Sequence, residues 1–245
     1  MYLKTEGLVL RLTPYKEHDA ILNVLTTEHG LMSLRANGVR RSSCAIRSAC
    51  QLLTYSEFTV FENRGFSTVK EASPVQMFTE LRGDLEKLAL ASYFAQAAEV
   101  LSQEDAPGFG ILPLTLNAMY ALCRMQVPNL IVKAVFEFRA ACLAGFTPEL
   151  SGCSVCGRLC PDRFDLTNGC LRCASCPGDG FTMPVSAGSL AAMRYLAACD
   201  AKRIFSFRIE PLCAAELADL SEAYLSTRLE RGFSTLDFYK SLLLT

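Results

Sequence analysis

Residues 153–176 read CSVCGRLCPDRFDLTNGCLRCASC, and a Cys-x-x-Cys pair stands at each end of this stretch. Sixteen residues separate Cys153 and Cys156 from Cys173 and Cys176. Two such pairs match the ligand set of a structural zinc ion, because each pair grips the metal from one turn and four sulfurs fill a tetrahedral shell. A filled shell leaves no position for water or substrate. The pattern therefore predicts an architectural zinc knuckle.

Two further cysteines leave the ligand set open. Cys160 follows Cys156 by four residues, and Cys170 precedes Cys173 by three. Another four of these six thiols is an alternative ligand set, and a redox or metal-free cluster is a third interpretation. A redox pair usually stands alone at the start of a helix, whereas these pairs are doubled in a loop. The doubling favours a metal.

The composition is that of a globular protein with a substantial core. The chain has 245 residues, of which 51% are hydrophobic and 20% charged, enough for one large domain or two ordinary ones. Its first residues, MYLKTEG, lack the basic and apolar segments of a signal peptide. We therefore expect a cytoplasmic protein without a membrane segment, whose other cysteines are reduced core thiols.

The first 75 residues have the alternation of β-strands. Ala20, Leu22 and Val24 fall on one face of a strand, with turns at residues 29–30 and 63–65. This region should contain about five strands, with a basic connection between the third and fourth. Such a pattern predicts a small closed barrel of the OB type.

The remainder of the chain has helical periodicity. Ser73-Pro74-Val75-Gln76 resembles a capping box and predicts that helices begin there. Four further helices are expected at residues 111–125, 128–144, 186–199 and 210–229. The fold class is thus α+β, with an OB-fold barrel over residues 1–75 and a helical domain over 76–245. The zinc knuckle interrupts the helical domain as an insertion at 150–180.

Positive charge is concentrated in the expected barrel. Residues 1–75 carry nine basic and seven acidic residues, and the interval from His29 to Ser56 has no acidic residue. The arginines of this interval are Arg35, Arg40, Arg41 and Arg47. A basic segment without acids is a candidate phosphate-binding track, although a solvated face has the same composition. Tyr15, Tyr55 and Phe66 are candidates for base stacking or for the core.

No catalytic motif is found in the sequence. The chain has two histidines, neither near a nucleophile motif, and it lacks a phosphate-binding glycine loop and a metalloprotease motif. We therefore expect a protein that is not an enzyme and that has no small-molecule substrate.

Several segments along the chain together form a recognisable set: EGLVLR at 6–11, HDAIL at 18–22, TTEHG at 26–30, ANGVRR at 36–41, LRGDLEKLA at 81–89, and LAGFTPEL at 143–150 followed by the first cysteine pair. In these segments and in their order the chain resembles the RecO family of bacterial DNA-repair proteins. Asn37 departs from the family pattern, in which a lysine is common.

This resemblance implies an OB barrel, a helical domain with a four-cysteine zinc site, and binding of single- and double-stranded DNA without sequence preference. It also implies strand annealing and, with RecR, assistance to RecA in replacing the single-strand-binding protein. The residues expected to contact DNA are Arg11, Arg35, Arg40, Arg41 and Arg47. The acidic C-terminal tail of the single-strand-binding protein should bind near Arg124, Lys133 and Arg139. The alternative function is a zinc-ribbon adaptor outside recombination, of the transcription-accessory type.

Overall fold

The computed structural model describes residues 1–63, 65–103 and 110–244. The chain divides into two compact units, one formed by Met1–Cys123 with Phe233–Thr245 and the other by Arg124–Gly232. Each unit has its own buried core.

The first unit begins with a closed five-stranded barrel. Its strands are β1 (Tyr2–Tyr15), β2 (Asp19–Thr26), β3 (Leu31–Ala36), β4 (Tyr55–Asn63) and β5 (Phe66–Gln76). They follow the order β1-β2-β3-β5-β4 around the barrel, and all pairs are antiparallel except β3 with β5. The predicted OB-like barrel, its five strands and the basic connection between the third and fourth are confirmed. Of the two expected turns, the second includes Arg64, which lies outside the described residues.

Alternating side chains fill the barrel. Ala20, Leu22 and Val24 point inward from β2, where Phe58 and Val60 meet them from β4. The strands β1 and β2 approach closely at Gly7, where an added Cβ would lie 2.5 Å from a methyl carbon of Val24. A side chain at this position would push the strands apart.

The first helix begins later than the sequence predicted. Strand β5 continues through the expected capping box to Gln76, a short 3₁₀ turn covers Thr79–Gly83, and α1 runs over Leu85–Leu101 with Asp84 as its N-cap. Pro74 is tolerated in β5 because it lies where the pairing with β4 is irregular. The other helices with residues in this unit are α2 (Ile111–Arg124) and α6 (Ser234–Leu242).

The second unit contains the knuckle and three helices. The helices are α3 (Asn129–Leu143), α4 (Ala187–Ala198) and α5 (Pro211–Leu229), close to the predicted bounds. The knuckle is a small sheet in the order β6-β8-β7-β9, formed by β6 (Glu149–Cys153), β7 (Arg163–Asp165), β8 (Cys170–Arg172) and β9 (Thr182–Pro184). Across the described residues, no helix has both the length and the apolar character that a membrane crossing requires.

Candidate nucleic-acid interface and metal centre

The loop after β3 is fastened to the β1–β2 turn by one carboxylate. Asp19 accepts a hydrogen bond from the backbone N–H of Gly38 at 2.8 Å and another from the guanidinium of Arg35 at 2.9 Å. The Gly38 N–H, followed by Arg35, holds the pKa of Asp19 below its ordinary value. Asp19 is therefore ionised at neutral pH and joins two segments that are distant in the sequence.

Arg40 fastens the same two segments a second time. Its backbone N–H donates to the carbonyl of His18 at 3.0 Å, and its guanidinium donates to the carbonyl of Glu17 at 3.2 Å. These bonds place the arginine-rich loop beside the tip of the β1–β2 hairpin. Backbone carbonyls take up only part of the donor capacity of a guanidinium, so the positive charge stays available.

The five predicted DNA-binding arginines divide into two groups. Arg40, Arg41 and Arg47 are exposed, and the described residues contain no ion pair of any of them. Arg35 is paired with Asp19, and Arg11 forms an ion pair with Glu99 of α1 at 2.7 Å. The loop thus brings three arginines without a carboxylate partner to one end of the barrel.

The three candidate stacking aromatics have different surroundings. Tyr15 ends β1, is 41% exposed, and has the Lys16 ammonium 5.5 Å and the Arg35 guanidinium carbon 5.3 Å from its ring centroid. Tyr55 is half-buried and donates its hydroxyl to Glu6 at 2.6 Å. Burial and this carboxylate raise the pKa of Tyr55. Phe66 is 76% exposed at the start of β5.

A second region of the barrel surface carries negative charge. A cavity of about 590 Å³ is lined by residues of β1, β4 and β5 and of the turn after β2. Its charged lining residues are Lys4, Glu6, Glu28, Glu57 and Glu71. Four carboxylates against one ammonium repel a phosphate backbone. The barrel surface is therefore divided by charge, and the arginine loop lies in its positive region.

The knuckle brings four cysteine sulfurs together. The sulfurs of Cys153, Cys156, Cys173 and Cys176 all lie within 4.8 Å of one another. Those of Cys153 and Cys176 are 3.8 Å apart, and those of Cys156 and Cys173 are 3.7 Å apart. A tetrahedral ion with metal–sulfur bonds of about 2.3 Å separates its ligands by about 3.8 Å. The arrangement therefore fits a metal held by four thiolates.

The thiols of this cluster differ in acidity. The backbone N–H of Cys156, helped by those of Val155 and Cys173, lowers the pKa of Cys153 to about 6. Burial, followed by interactions with Cys156 and Cys153, raises the pKa of Cys173 to about 12. Adjacent thiolates repel one another, so a divalent cation is what allows all four to ionise together.

The two remaining thiols of the knuckle lie outside the cluster. Cys160 is exposed, and Cys170 is half-buried with its sulfur 3.5 Å from the hydroxyl of Ser154. The four residues of the predicted ligand set are thus the ones that the fold assembles. Arg194 of α4 holds the knuckle in place by donating to the carbonyls of Leu150, Ser151 and Leu159.

The three residues predicted to bind the acidic peptide, Arg124, Lys133 and Arg139, do not form one exposed cationic surface. Lys133 is only 4% exposed, and its ammonium lies 3.0 Å from Glu137 and 2.7 Å from Glu222. Although burial lowers the pKa of Lys133, these two carboxylates outweigh it and keep the pKa above its ordinary value. Arg139 donates to the carbonyls of Leu196 and Ala197 at the end of α4.

The expectation for Lys133 is therefore wrong, because a buried ammonium between two carboxylates is not accessible to a peptide. Arg139 is engaged in fastening α3 to α4. Of the trio, Arg124 is exposed, at the end of α2.

Sequence reasoning missed the residues that organise these sites. Asp19 and Gly38 are nineteen residues apart, and Arg194 lies more than thirty residues from the carbonyls that it binds. Single-sequence patterns do not reveal such distant contacts. A usable signal did exist at Tyr15-Lys16, an aromatic residue next to a cation, shortly before the alternating residues of a predicted strand.

Comparisons with known proteins agree with this architecture. The family described as Recombination protein O N terminal matches residues 1–78, and Recombination protein O C terminal matches residues 82–237. A DNA repair protein RecO from Acetivibrio thermocellus is 31% identical over 244 residues, covering 98% of this chain and 97% of the relative. A protein of the same name from Alkaliphilus metalliredigens is 28% identical over 246 residues, covering 99% and 100%. Another, from Anaeromyxobacter sp. (strain K), is 32% identical over 245 residues, covering 96% and 95%.

Proposed function

The chain belongs to the RecO family of DNA repair and recombination proteins, and from that premise we propose that it is a recombination mediator that binds DNA directly. It binds single- and double-stranded DNA without sequence preference and anneals complementary strands. With RecR, it helps RecA replace the single-strand-binding protein on gapped DNA.

The observation that carries this proposal is the arginine loop of the barrel. Arg40, Arg41 and Arg47 are exposed and have no carboxylate partner among the described residues. Guanidinium groups pair with phosphate oxygens whatever the base sequence, which suits a protein that acts on any gap. The hydrogen bond of Gly38 to Asp19 and that of Arg40 to His18 hold this loop against the hairpin before DNA arrives.

Annealing by this chain needs no covalent chemistry. Arginines that neutralise both backbones lower the repulsion between two complementary strands, and base pairing then supplies the free energy. We propose accordingly that the protein acts by binding and is not an enzyme, and that its place of action is the nucleoid in the cytoplasm.

The ion in the four-cysteine cluster is proposed to be one structural zinc. Four thiolates suit Zn²⁺, which has no geometric demand of its own beyond the tetrahedral shell. Cys153, Cys156, Cys173 and Cys176 would hold it, and a shell of four protein ligands leaves zinc without a catalytic position. The ion then stabilises the knuckle.

Partner binding is proposed for the helical part of the chain. An acidic peptide with an apolar end, such as the tail of the single-strand-binding protein, requires an exposed cation, and Arg124 is the member of the predicted trio that provides one. Arg124→Glu should weaken the tail peptide while leaving DNA affinity unchanged. Arg139→Glu is the less informative variant, because Arg139 also binds the end of α4.

Strand annealing is the experiment that tests the proposed function. Complementary labelled oligonucleotides are mixed with the protein, with and without the cognate single-strand-binding protein, and duplex formation is followed over time. The wild type should accelerate annealing under both conditions, and the double variant Arg40→Ala, Arg41→Ala should be slower. DNA binding without annealing would instead favour the adaptor outside recombination.

A further inference from the structure

Tyr15 lies next to the hairpin tip that the arginine loop contacts. Tyr15 is the last residue of β1 and does not belong to the group of residues that fills the barrel. Its side chain is 41% exposed. The hairpin tip that follows it receives the hydrogen bonds of Arg40. The aromatic ring and the phosphate-binding loop are therefore parts of one surface.

Two cations lie over this ring. The guanidinium carbon of Arg35 is 5.3 Å from the ring centroid, and Asp19 fixes this guanidinium at 2.9 Å. The ammonium of Lys16 is 5.5 Å from the centroid, at the end of an exposed side chain. Asp19 holds the Arg35 guanidinium in place, whereas the exposed Lys16 side chain can move from the ring to a phosphate. The position over the ring that the Lys16 ammonium leaves is then open to a flat ligand.

The backbone keeps these groups next to each other. Lys16 has a φ of 53°, in the left-handed region that non-glycine residues seldom adopt. Such a conformation persists only where the surroundings impose it, and strained residues of this kind gather at ligand sites. Here it occurs in the β1–β2 turn directly after Tyr15, where the Lys16 ammonium lies over the Tyr15 ring.

Tyr2, another exposed aromatic residue of the barrel, has less suitable surroundings. Tyr2 is 66% exposed and packs against Phe61 with ring centroids 5.1 Å apart. It is on β1 close to Lys4 and Glu6, which line the acidic cavity. Carboxylates near a ring oppose the approach of phosphates, so Tyr2 is a matched control for Tyr15.

We propose that Tyr15, with Arg35 and Lys16 beside it, is a stacking site for an unpaired DNA base. This inference rests on the proposed function and specifies it further, because a stacking site favours single strands. Bases in a duplex are already stacked on their neighbours, whereas a single strand offers free base faces whatever its sequence.

The test compares single- and double-stranded DNA on the same variants. Fluorescence anisotropy with a labelled thymidine oligonucleotide of about 16 nucleotides and with a duplex of the same length gives both affinities. Tyr15→Ala should lower single-strand affinity about tenfold and duplex affinity less than about twofold. Tyr15→Phe should bind both like the wild type, because it keeps the ring, and so should Tyr2→Ala.

The salt dependence and a crosslink separate stacking from indirect effects. Stacking releases no counterions, so the salt slope of Tyr15→Ala should equal that of the wild type. A 5-iododeoxyuridine oligonucleotide irradiated in the complex should crosslink to the peptide that contains Tyr15. A crosslink confined to other peptides would overturn the inference.

The outcomes also distinguish this inference from the proposed function. If Tyr15→Ala loses both DNA forms equally with a reduced slope, Tyr15 only supports Arg35 and the stacking site is refuted. Wild-type affinities in Tyr15→Ala, together with weak binding by Arg40→Ala, would refute stacking and leave DNA binding intact. Absence of DNA binding by the wild type would refute the proposed function itself.

Discussion

Replacement of Arg40, Arg41 and Arg47 by alanine should reduce the salt dependence of DNA binding by a calculable amount. Each of these arginines is exposed and without a carboxylate partner among the described residues, so each is expected to neutralise one phosphate. A neutralised phosphate contributes about 0.7 to the slope of log K against log salt for single strands. The triple variant should therefore lose about 2 from that slope.

Arg11, which is in an ion pair, should contribute less to the salt dependence than the arginines of the loop. Arg11 is bound to Glu99 at 2.7 Å, and the same carboxylate also accepts a hydrogen bond from Asn23. A guanidinium held in this way gives up a partner in order to reach a phosphate. Arg11→Ala should accordingly change the slope by less than about 0.3, which is under half of the contribution expected from one arginine of the loop.

The measurement is a series of anisotropy titrations between about 50 and 200 mM salt. Lys70→Ala is the control, because Lys70 is an exposed cation of the same barrel that lies over Phe61 instead of in the arginine loop. Circular dichroism verifies that every variant is folded. An unchanged slope in the triple variant, or an equal loss in the control, would refute the assignment of this loop to phosphate binding.

Three further predictions concern stability. Cys173→Ser should lose the metal and melt at a much lower temperature, because zinc binding worth on the order of 10 kcal/mol is coupled to folding, whereas Cys160→Ser should retain both by metal analysis and calorimetry. Lys133→Met should lower the free energy of unfolding in urea by about 3–5 kcal/mol, since two carboxylates then lose their buried cation; an unchanged midpoint would contradict this. The Gly38 N–H, followed by a neighbouring guanidinium, lowers the pKa of Asp19, so its carboxylate stabilises the fold above pH about 4 and this is lost as the pH falls through the lowered pKa. Between pH 7 and 3 the wild type should thus lose more stability than Asp19→Asn, and equal losses would contradict the assignment.

The barrel was predictable because its signals are local. Alternation over Ala20, Leu22 and Val24 and a glycine turn after β2 identify strands without knowledge of their partners. The predicted helix start at Ser73 failed for a reason that is not local. A strand partner was available to residues 73–76, and pairing with β4 outweighed the capping preference.

Short and distant features escaped prediction. The knuckle strands β7, β8 and β9 are three residues long, too short for a period-two pattern to register. Helix α6 was missed although Leu236 and Tyr239 are buried at helical spacing, because its N-cap residue, Phe233, offers no capping side chain. The four-cysteine cluster was predictable because the spacing of metal-ligand motifs in the sequence reflects the tertiary site that they form.

Asp19 is an acid within the proposed DNA interface, and its hydrogen bonds explain why it lies there. Its charge opposes DNA, yet the Gly38 N–H and the Arg35 guanidinium both bind to it. Without that acceptor only the hydrogen bonds of Arg40 would hold the arginine loop to the hairpin, so DNA would have to complete its ordering and the entropy of that step would subtract from affinity. One neutralised guanidinium is a smaller loss than a disordered loop that carries the three exposed arginines. The geometry of the interface therefore depends on the carboxylate, and its positive charge depends on the arginines.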